Sequence, residues 1–203
     1  MHFQLGPLVA DNFQAHLVLN EGNLELDVLR SDLLGGHHTG KWTADFTATP
    51  LRYAGGGVMQ KISMDQLSTW MRENWAGGQS SGKYALSMQG KDAAGLLSSA
   101  TGSADFTWTG GSLRKLALDG RPAPLTFSSL AGIFNIGGGR LTFDNCEMKT
   151  AGGVFNVKGI ATYSRTLNFT LQRTGGTSYV VAGSLDQPQV TAVPAVPTRA
   201  QLQ

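Results

Sequence analysis

The sequence predicts a mainly β protein: a curled antiparallel β-sheet, arranged as an open trough, a roll or a sandwich-like pair of layers, with one or two short amphipathic helices. Three observations carry this. Apolar and polar residues alternate with period two over most of the chain. The 27 glycines among 203 residues are about twice the usual share and follow no Gly-X-Y period, which marks tight turns and bulges. Only two stretches carry helical spacing or a helix cap.

The clearest alternation runs from Leu130 to Val190. Phe134 and Ile136 alternate, and Gly137–Gly139 make a turn. Leu141 and Phe143 follow, then Cys146 and Met148 after a change of face. Phe155 and Val157, then Leu167, Phe169 and Leu171, then Tyr179 and Val181 complete five short strands. Residues 12–48 repeat the pattern: Phe13, Ala15, Leu17 and Leu19 alternate, Glu21-Gly22-Asn23 turns, and Leu24, Leu26 and Val28 return. A second turn falls at Leu34-Gly35-Gly36, and Trp42, Ala44, Phe46 and Ala48 alternate against Lys41, Thr43, Asp45 and Thr47. The two stretches share an internal repeat. Gly22-x-Leu24-x-Leu26-Asp27 matches Gly139-x-Leu141-x-Phe143-Asp144, and Gly35-Gly36 matches Gly152-Gly153 at the same offset.

The section between these modules begins with Leu51, Tyr53, Val58, Gln60 and Ile62, a strand pattern broken by Gly55-Gly56-Gly57. A helix is expected over Met64–Asn74. Ser63 and Gln66 have capping-box spacing, Met64, Leu67, Met71 and Trp75 share a face, and Gly77-Gly78 stop it. Lys83–Gln89 reads as a strand with Tyr84, Leu86 and Met88 inward, and Asp92–Ala100 as a weak helical turn capped by Asp92. Ala104, Phe106 and Trp108 alternate again, and Leu113–Leu118 forms a further strand ended by Arg121-Pro122-Ala123-Pro124. Residues 1–190 are thus expected to form one β-domain. Residues 191–203, Pro/Ala-rich with no period, are expected to be a disordered tail.

Composition narrows the function classes. The formal net charge is +2 with no strongly basic face or run, which argues against a nucleic-acid partner. The single cysteine, Cys146, excludes an intrachain disulfide. No run approaches the roughly 20 apolar residues of a membrane-spanning helix. The opening MHFQLGPLVADNF lacks the basic and apolar regions of a signal peptide and reads as the inside of a longer protein.

No catalytic set is found, and the chain is not expected to be an enzyme or to hold a metal or cofactor. His37 and His38 are adjacent, have no further ligand at metal spacing, and read as polar turn residues. Asp27 and Asp144 are expected to cap turns or re-aim bulges. The 137–140 run GGGR lacks the Lys-Ser/Thr of a phosphate loop, and Ser98-Ser99 and Ser128-Ser129 lack a Gly-x-Ser-x-Gly context. Cys146 has no basic neighbour to activate it. Scattered carboxylates offer no pair for glycoside hydrolysis. What remains is a large apolar sheet face that water alone does not cover, and a protein layer or an apolar ligand is needed there.

The order of elements resembles the C-terminal region of the AsmA-like family of bacterial envelope proteins. The residues that carry the resemblance are Leu130–Ile136, Gly139–Asp144, Gly153–Gly159 and Leu167–Leu171, together with the closing Val181–Val190 run VAGSLDQPQV. That run is similar to the family's Gly-(Ser/Thr)-Leu-x-x-Pro-x-Val ending. Upstream, Asp32–His37 followed by Gly40 is similar to its strand-turn-strand before a short helix. The stretch Leu113–Phe127 is less regular than the family pattern.

The resemblance implies a non-enzymatic part of a periplasmic protein, anchored in the inner membrane by an N-terminal helix that lies before this sequence. It implies binding or conduction of phospholipid between membranes in support of the outer membrane, with envelope proteins as further partners. Candidate lipid-contact residues are Leu24, Leu26, Trp42, Phe46, Tyr84, Leu86, Phe106, Trp108, Phe134, Leu141, Phe143, Phe155 and Phe169. The alternation fits a second reading equally: a structural or assembly module of the envelope, with a filled core and no lipid trough. An outer-membrane barrel fits less well, because of the amphipathic helix at Met64 and the polar, Pro-rich end.

Overall fold

The computed structural model describes residues 3–5, 8–118 and 124–194. Thirteen strands and two short helices follow one another: β1 (Phe3–Leu5), β2 (Leu8–Asn20), β3 (Asn23–Leu33), β4 (Gly36–Asp45), β5 (Arg52–Ser63), α1 (Met64–Trp70), β6 (Ala76–Gln89), α2 (Ala93–Ser99), β7 (Thr101–Leu113), β8 (Leu125–Gly137), β9 (Arg140–Thr150), β10 (Gly153–Thr162), β11 (Thr166–Gln172), β12 (Ser178–Ser184) and β13 (Pro188–Val193). The strands form one antiparallel sheet in sequence order. The fold is therefore mainly β, a single curled meander.

Local chemistry sets the turns. Glu21-Gly22, Leu34-Gly35 and Gly138-Gly139 each place two successive residues at positive φ, the two-residue hairpin geometry that matches strand twist. The repeat is visible here, since Gly22 (φ 80) and Gly139 (φ 71) occupy the same turn position. Asp27 and Asp144 do not cap turns, but Asp144 lies in the β9 bulge with Asn145, opposite Lys158. The two aspartates pair across the sheet with Lys41 at 3.3 Å and Lys158 at 3.6 Å, two lysines that also stand at the repeat's offset.

The curl comes from bulges. Register shifts fall at Asp11/Gln14 between β2 and β3, Val28/Ser31 between β3 and β4, Met59/Ile62 between β5 and β6, and Val157/Gly159 between β9 and β10. An extra residue on one strand bends it and increases local twist. In β9 the bulge carries Asn145 at φ 54, so Cys146 and Met148 stay on the side of Phe143 instead of changing face. Glycines line the bend on that side. A Cβ at Gly57 would overlap the Thr39 carbonyl oxygen, and one at Gly82 the Asp105 carbonyl oxygen.

Several expectations are corrected. Gly55-Gly56-Gly57 does not break β5. It is the floor under a ring: a Cβ at Gly55 would overlap the Trp42 indole. Helix α1 is shorter than expected: it ends at Trp70 with Met71 as its C-cap, Arg72 takes φ 56, and Gly77 and Gly78 belong to β6. Ser63 Oγ accepts from the Gln66 N–H at 3.2 Å, but the Ser63 N–H donates to Leu34 O at 2.9 Å, so the Gln66 half of the capping box is not needed. Met71 is 46% exposed despite its place on the expected inner face. The segment after Leu113 is a turn, not a strand, because Leu116 and Leu118 drop onto the core. The expected tail starts later, since β13 takes in Thr191–Val193; residues 195–203 and Arg121–Ala123 lie outside the described residues. Helix α2 matches its expectation, with Asp92 Oδ1 accepting from the Gly95 N–H at 2.8 Å.

The buried core sits toward the C-terminal half. Met64, Ala76, Trp108, Leu118, Phe127, Cys146, Met148, Phe155, Val157, Leu171, Tyr179 and Val181 form one cluster, with Leu67, Trp75, Leu113, Leu116 and Leu125 packed against it. Residues 64–75 and 113–118 therefore act as the second layer over the apolar side of β7–β12.

Candidate functional site

The register puts the apolar residues in rows on one side of the sheet, because directly paired residues share a face. One row runs Leu19–Leu24–Ala44–Tyr53–Met88. The next runs Leu17–Leu26–Trp42–Gly55–Leu86–Gly102–Ile136–Leu141. A third passes Val28–Gly40–Gly57–Tyr84–Ala104–Phe134–Phe143–Gly159–Phe169. Phe106 lies between Gly82 and Gly132, and Trp108 leads through Leu130 and Met148 to Phe155. Phe46 lies just past the end of β4, its ring edge-on to Tyr53 at 6.4 Å. All thirteen residues singled out from the sequence thus lie along one side.

They do not share one environment. Trp108 and Phe155 are 6% and 3% exposed and belong to the protein core. Trp108 Nε1 donates to Gly77 O at 2.9 Å, and Trp75 packs edge-on to it at 6.1 Å. Phe106, Phe143 and Phe169 pack against that core, and the rings of Phe134, Phe143 and Phe169 follow one another at 5.3 Å spacings. Phe134 and Leu141 are half-buried and stand outside the cluster. Leu24, Leu26, Trp42, Tyr84 and Leu86 are also half-buried, and Phe46 is exposed. Among the described residues, the main contacts between elements are those of neighbouring strands and of the helices with β5 and β6.

Four charges clasp the covered half. Glu73 follows α1 and Lys115 follows β7, at one end of the strands; Arg165 and Asp186 sit in turns at the opposite end. Glu73 pairs with Arg165 and, at 3.5 Å, with Lys115; Asp186 pairs with Lys115 at 3.0 Å and Arg165 at 2.8 Å. Opposite strand ends meet this way only if the sheet curls around its apolar side. The Lys115 ammonium holds the Asp186 carboxyl below its ordinary value, with Arg165 adding to it, and Asp186 in turn raises Lys115. Beside the clasp, Arg114 bonds Asp65 and Asn74, and the Gly78 N–H and Arg114 lower the Asp65 carboxyl.

On the open half the sequence reading missed His38. It lies in β4, not in a turn, and β4 alternation sends His37 and His38 to opposite sides. His37 Nδ1 meets Asp32 at 2.7 Å on the polar side. His38 Nε2 lies 2.8 Å from the Tyr84 hydroxyl, which accepts from Trp42 Nε1 at 3.3 Å. The imidazole and phenol stack at 5.8 Å over Gly57, where a Cβ would press on His38 Nε2. Burial pushes His38 down and Tyr84 up. The available signal was the parity of His38 with Gly40 and Trp42. This trio is a polar island in an otherwise apolar stretch, and its groups satisfy one another.

An open groove of about 600 Å³ lies at one end of β3–β7. Its walls are mainly the outward rows Asn23, Asp45, Arg52 and Gln89 and Glu25, Thr43, Ala54, Ser87 and Thr101, so it belongs to the polar side. Cys146 is buried, and burial raises its thiol. No group of three or more His, Cys, Asp or Glu side chains among the described residues is placed to hold a metal. No described helix is long and apolar enough to cross a membrane. No family model, curated protein or solved structure matches the chain.

Proposed function

We propose that this chain is a non-enzymatic lipid-handling segment, similar to the C-terminal part of an AsmA-like envelope protein, and that acyl chains lie on the uncovered half of its apolar side. The observation that supports the reading is the run of half-buried Leu24, Leu26, Trp42, Tyr84 and Leu86 across β3–β6, outside the buried core cluster that seals Trp108 and Phe155. Each CH₂ laid on such a surface gains about 0.8 kcal/mol, and a strip without a deep pocket lets chains slide. Headgroups stay at the edge, near water. A periplasmic place with an inner-membrane anchor and phospholipid as cargo belong to the same proposal and rest on the resemblance.

A second reading has its own observation. The side chains over β7–β12 are covered by residues 64–75 and 113–118, which is how a structural envelope module with a filled core is built. Native mass spectrometry of the protein purified from a lipid-containing host separates the two. Lipid adducts that Leu26→Glu and Leu86→Glu remove, with the melting transition kept, support the lipid reading. Absence of adducts on the wild-type protein favours the structural one.

A further inference from the structure

We propose, resting on the lipid reading above, that His38, Tyr84 and Trp42 hold the ester carbonyl oxygen of an acyl lipid and so fix where a chain stops along the open strip. Each of the three groups has a partner inside the trio, but their donors outnumber their bonds. The indole N–H, the phenol O–H and the one N–H of a neutral imidazole are all donors. They share two contacts: Trp42 Nε1 donates to the Tyr84 hydroxyl at 3.3 Å, and that hydroxyl lies 2.8 Å from His38 Nε2. A phenol is a stronger acid than a neutral imidazole, and the imidazole nitrogen is the better acceptor. Tyr84 therefore donates to Nε2, and the imidazole proton stays on Nδ1. Among the described residues no group accepts from Nδ1. Trp75 Nε1 is the one buried side-chain nitrogen or oxygen among them without a hydrogen bond, so Nδ1 is open to water.

The surroundings select a neutral oxygen on an apolar body. From β3 to β7 the rows that pass through the trio carry no charged residue: His38 pairs with Met59, Tyr84 with Gly57, and Trp42 with Leu26 and Gly55. Burial lowers His38 below 6.5, so it adds no cation at neutral pH. A phosphate or a carboxylate would lose its water here without a counter-charge, whereas an ester carbonyl needs one donor. The rings also lie low. A Cβ at Gly57 would press on His38 Nε2, and one at Gly55 would overlap the Trp42 indole. Leu26 and Leu86 stand on the same row as Trp42 and take the chain beside it. One polar donor among apolar walls sets a ligand's orientation. A chain that carries a carbonyl gains one hydrogen bond at this point, which makes a shallow stop and not a deep well.

The test is isothermal titration of the whole chain with two probes below their micelle thresholds: lauroyl lysophosphatidylcholine and its O-dodecyl ether analogue, which lacks only the carbonyl oxygen. The ester should bind roughly threefold to tenfold more tightly. The variant His38→Phe/Trp42→Phe/Tyr84→Phe removes all three donors together and leaves no orphan among them, so it should bind both probes equally. Equal binding of ester and ether by the wild-type protein overturns the proposal and leaves the lipid reading standing. Binding of neither overturns both. A preference for the ester that survives in the triple variant overturns the assignment to this trio, and tighter binding of free laurate than of the ester overturns the choice of a neutral oxygen. A readout on the wild-type protein stands beside the variant: the ester, and not the ether, should move the ¹⁵N resonance of His38 Nδ1, and an unmoved resonance contradicts the contact.

Discussion

The two halves of the sheet start from the same pattern and end differently. Over β3–β6, Leu26, Trp42 and Leu86 alternate with polar residues and are left half-open. Over β7–β12, Trp108, Met148 and Phe155 alternate in the same way and are sealed. Register and rows are continuous between them, so neither strand pairing nor hydrophobicity separates the two. The difference lies in what crosses the apolar side. Among the described residues, the α1–Trp75 segment runs along β5 and β6 onto the buried core, the 113–118 turn packs on that core, and the clasp joins opposite strand ends there. Alternation decides which way a side chain faces; the connections decide what covers it.

Substitutions can break this comparison. Trp108→Ala removes a buried ring and leaves the Gly77 carbonyl without its indole donor, and about 3–5 kcal/mol of stability should be lost. Leu26→Ala on the open half should cost about 1 kcal/mol or less, since water already reaches it. Equal losses in urea unfolding would remove the distinction between the halves. Gly132→Ala tests the bend, because its Cβ would overlap Cys146 Sγ. A loss of about 1–3 kcal/mol is expected, as for overpacking, and less with Cys146→Ala in the same chain.

The clasp should matter less. Glu73→Gln removes one carboxylate from a network with exposed partners, and about 1 kcal/mol is expected at low salt, shrinking as salt is added. A salt-independent effect would point to packing instead. The smallest effect is a pH slope on the open half. Burial lowers His38 below 6.5, so the folded state favours its neutral form. Its contribution is intact above that pH and is lost as the pH falls from there through the lowered value. His38→Phe should flatten the stability profile below about pH 6.5; an unchanged slope would assign it to other groups.

Much of the fold was legible because local rules govern it. Period two gave the facing of all thirteen candidate residues, and Ser63 and Asp92 marked both helices. What was not legible depends on partners distant in sequence. The Gly55-Gly56-Gly57 run looks like a break until Trp42 from the next strand lies on it. The parity change at Cys146 looks like a face change until the bulge at Asn145 is seen against β10. Leu113–Leu118 alternates like a strand, yet the ladder ends at Leu113, and Leu116 and Leu118 turn onto the core. The cover itself is held by a contact between Glu73 and Arg165, 92 positions apart.

The most direct measurement of the central claim is ¹⁹F NMR of the 5-fluorotryptophan-labelled protein, titrated with a phospholipid that bears a nitroxide in its acyl chain. The four tryptophans, Trp42, Trp70, Trp75 and Trp108, are assigned by single Trp→Phe changes. Selective broadening of the Trp42 resonance, with Trp108 unaffected, is the predicted result. An unchanged Trp42 resonance, or equal broadening of Trp42 and Trp108, would contradict it.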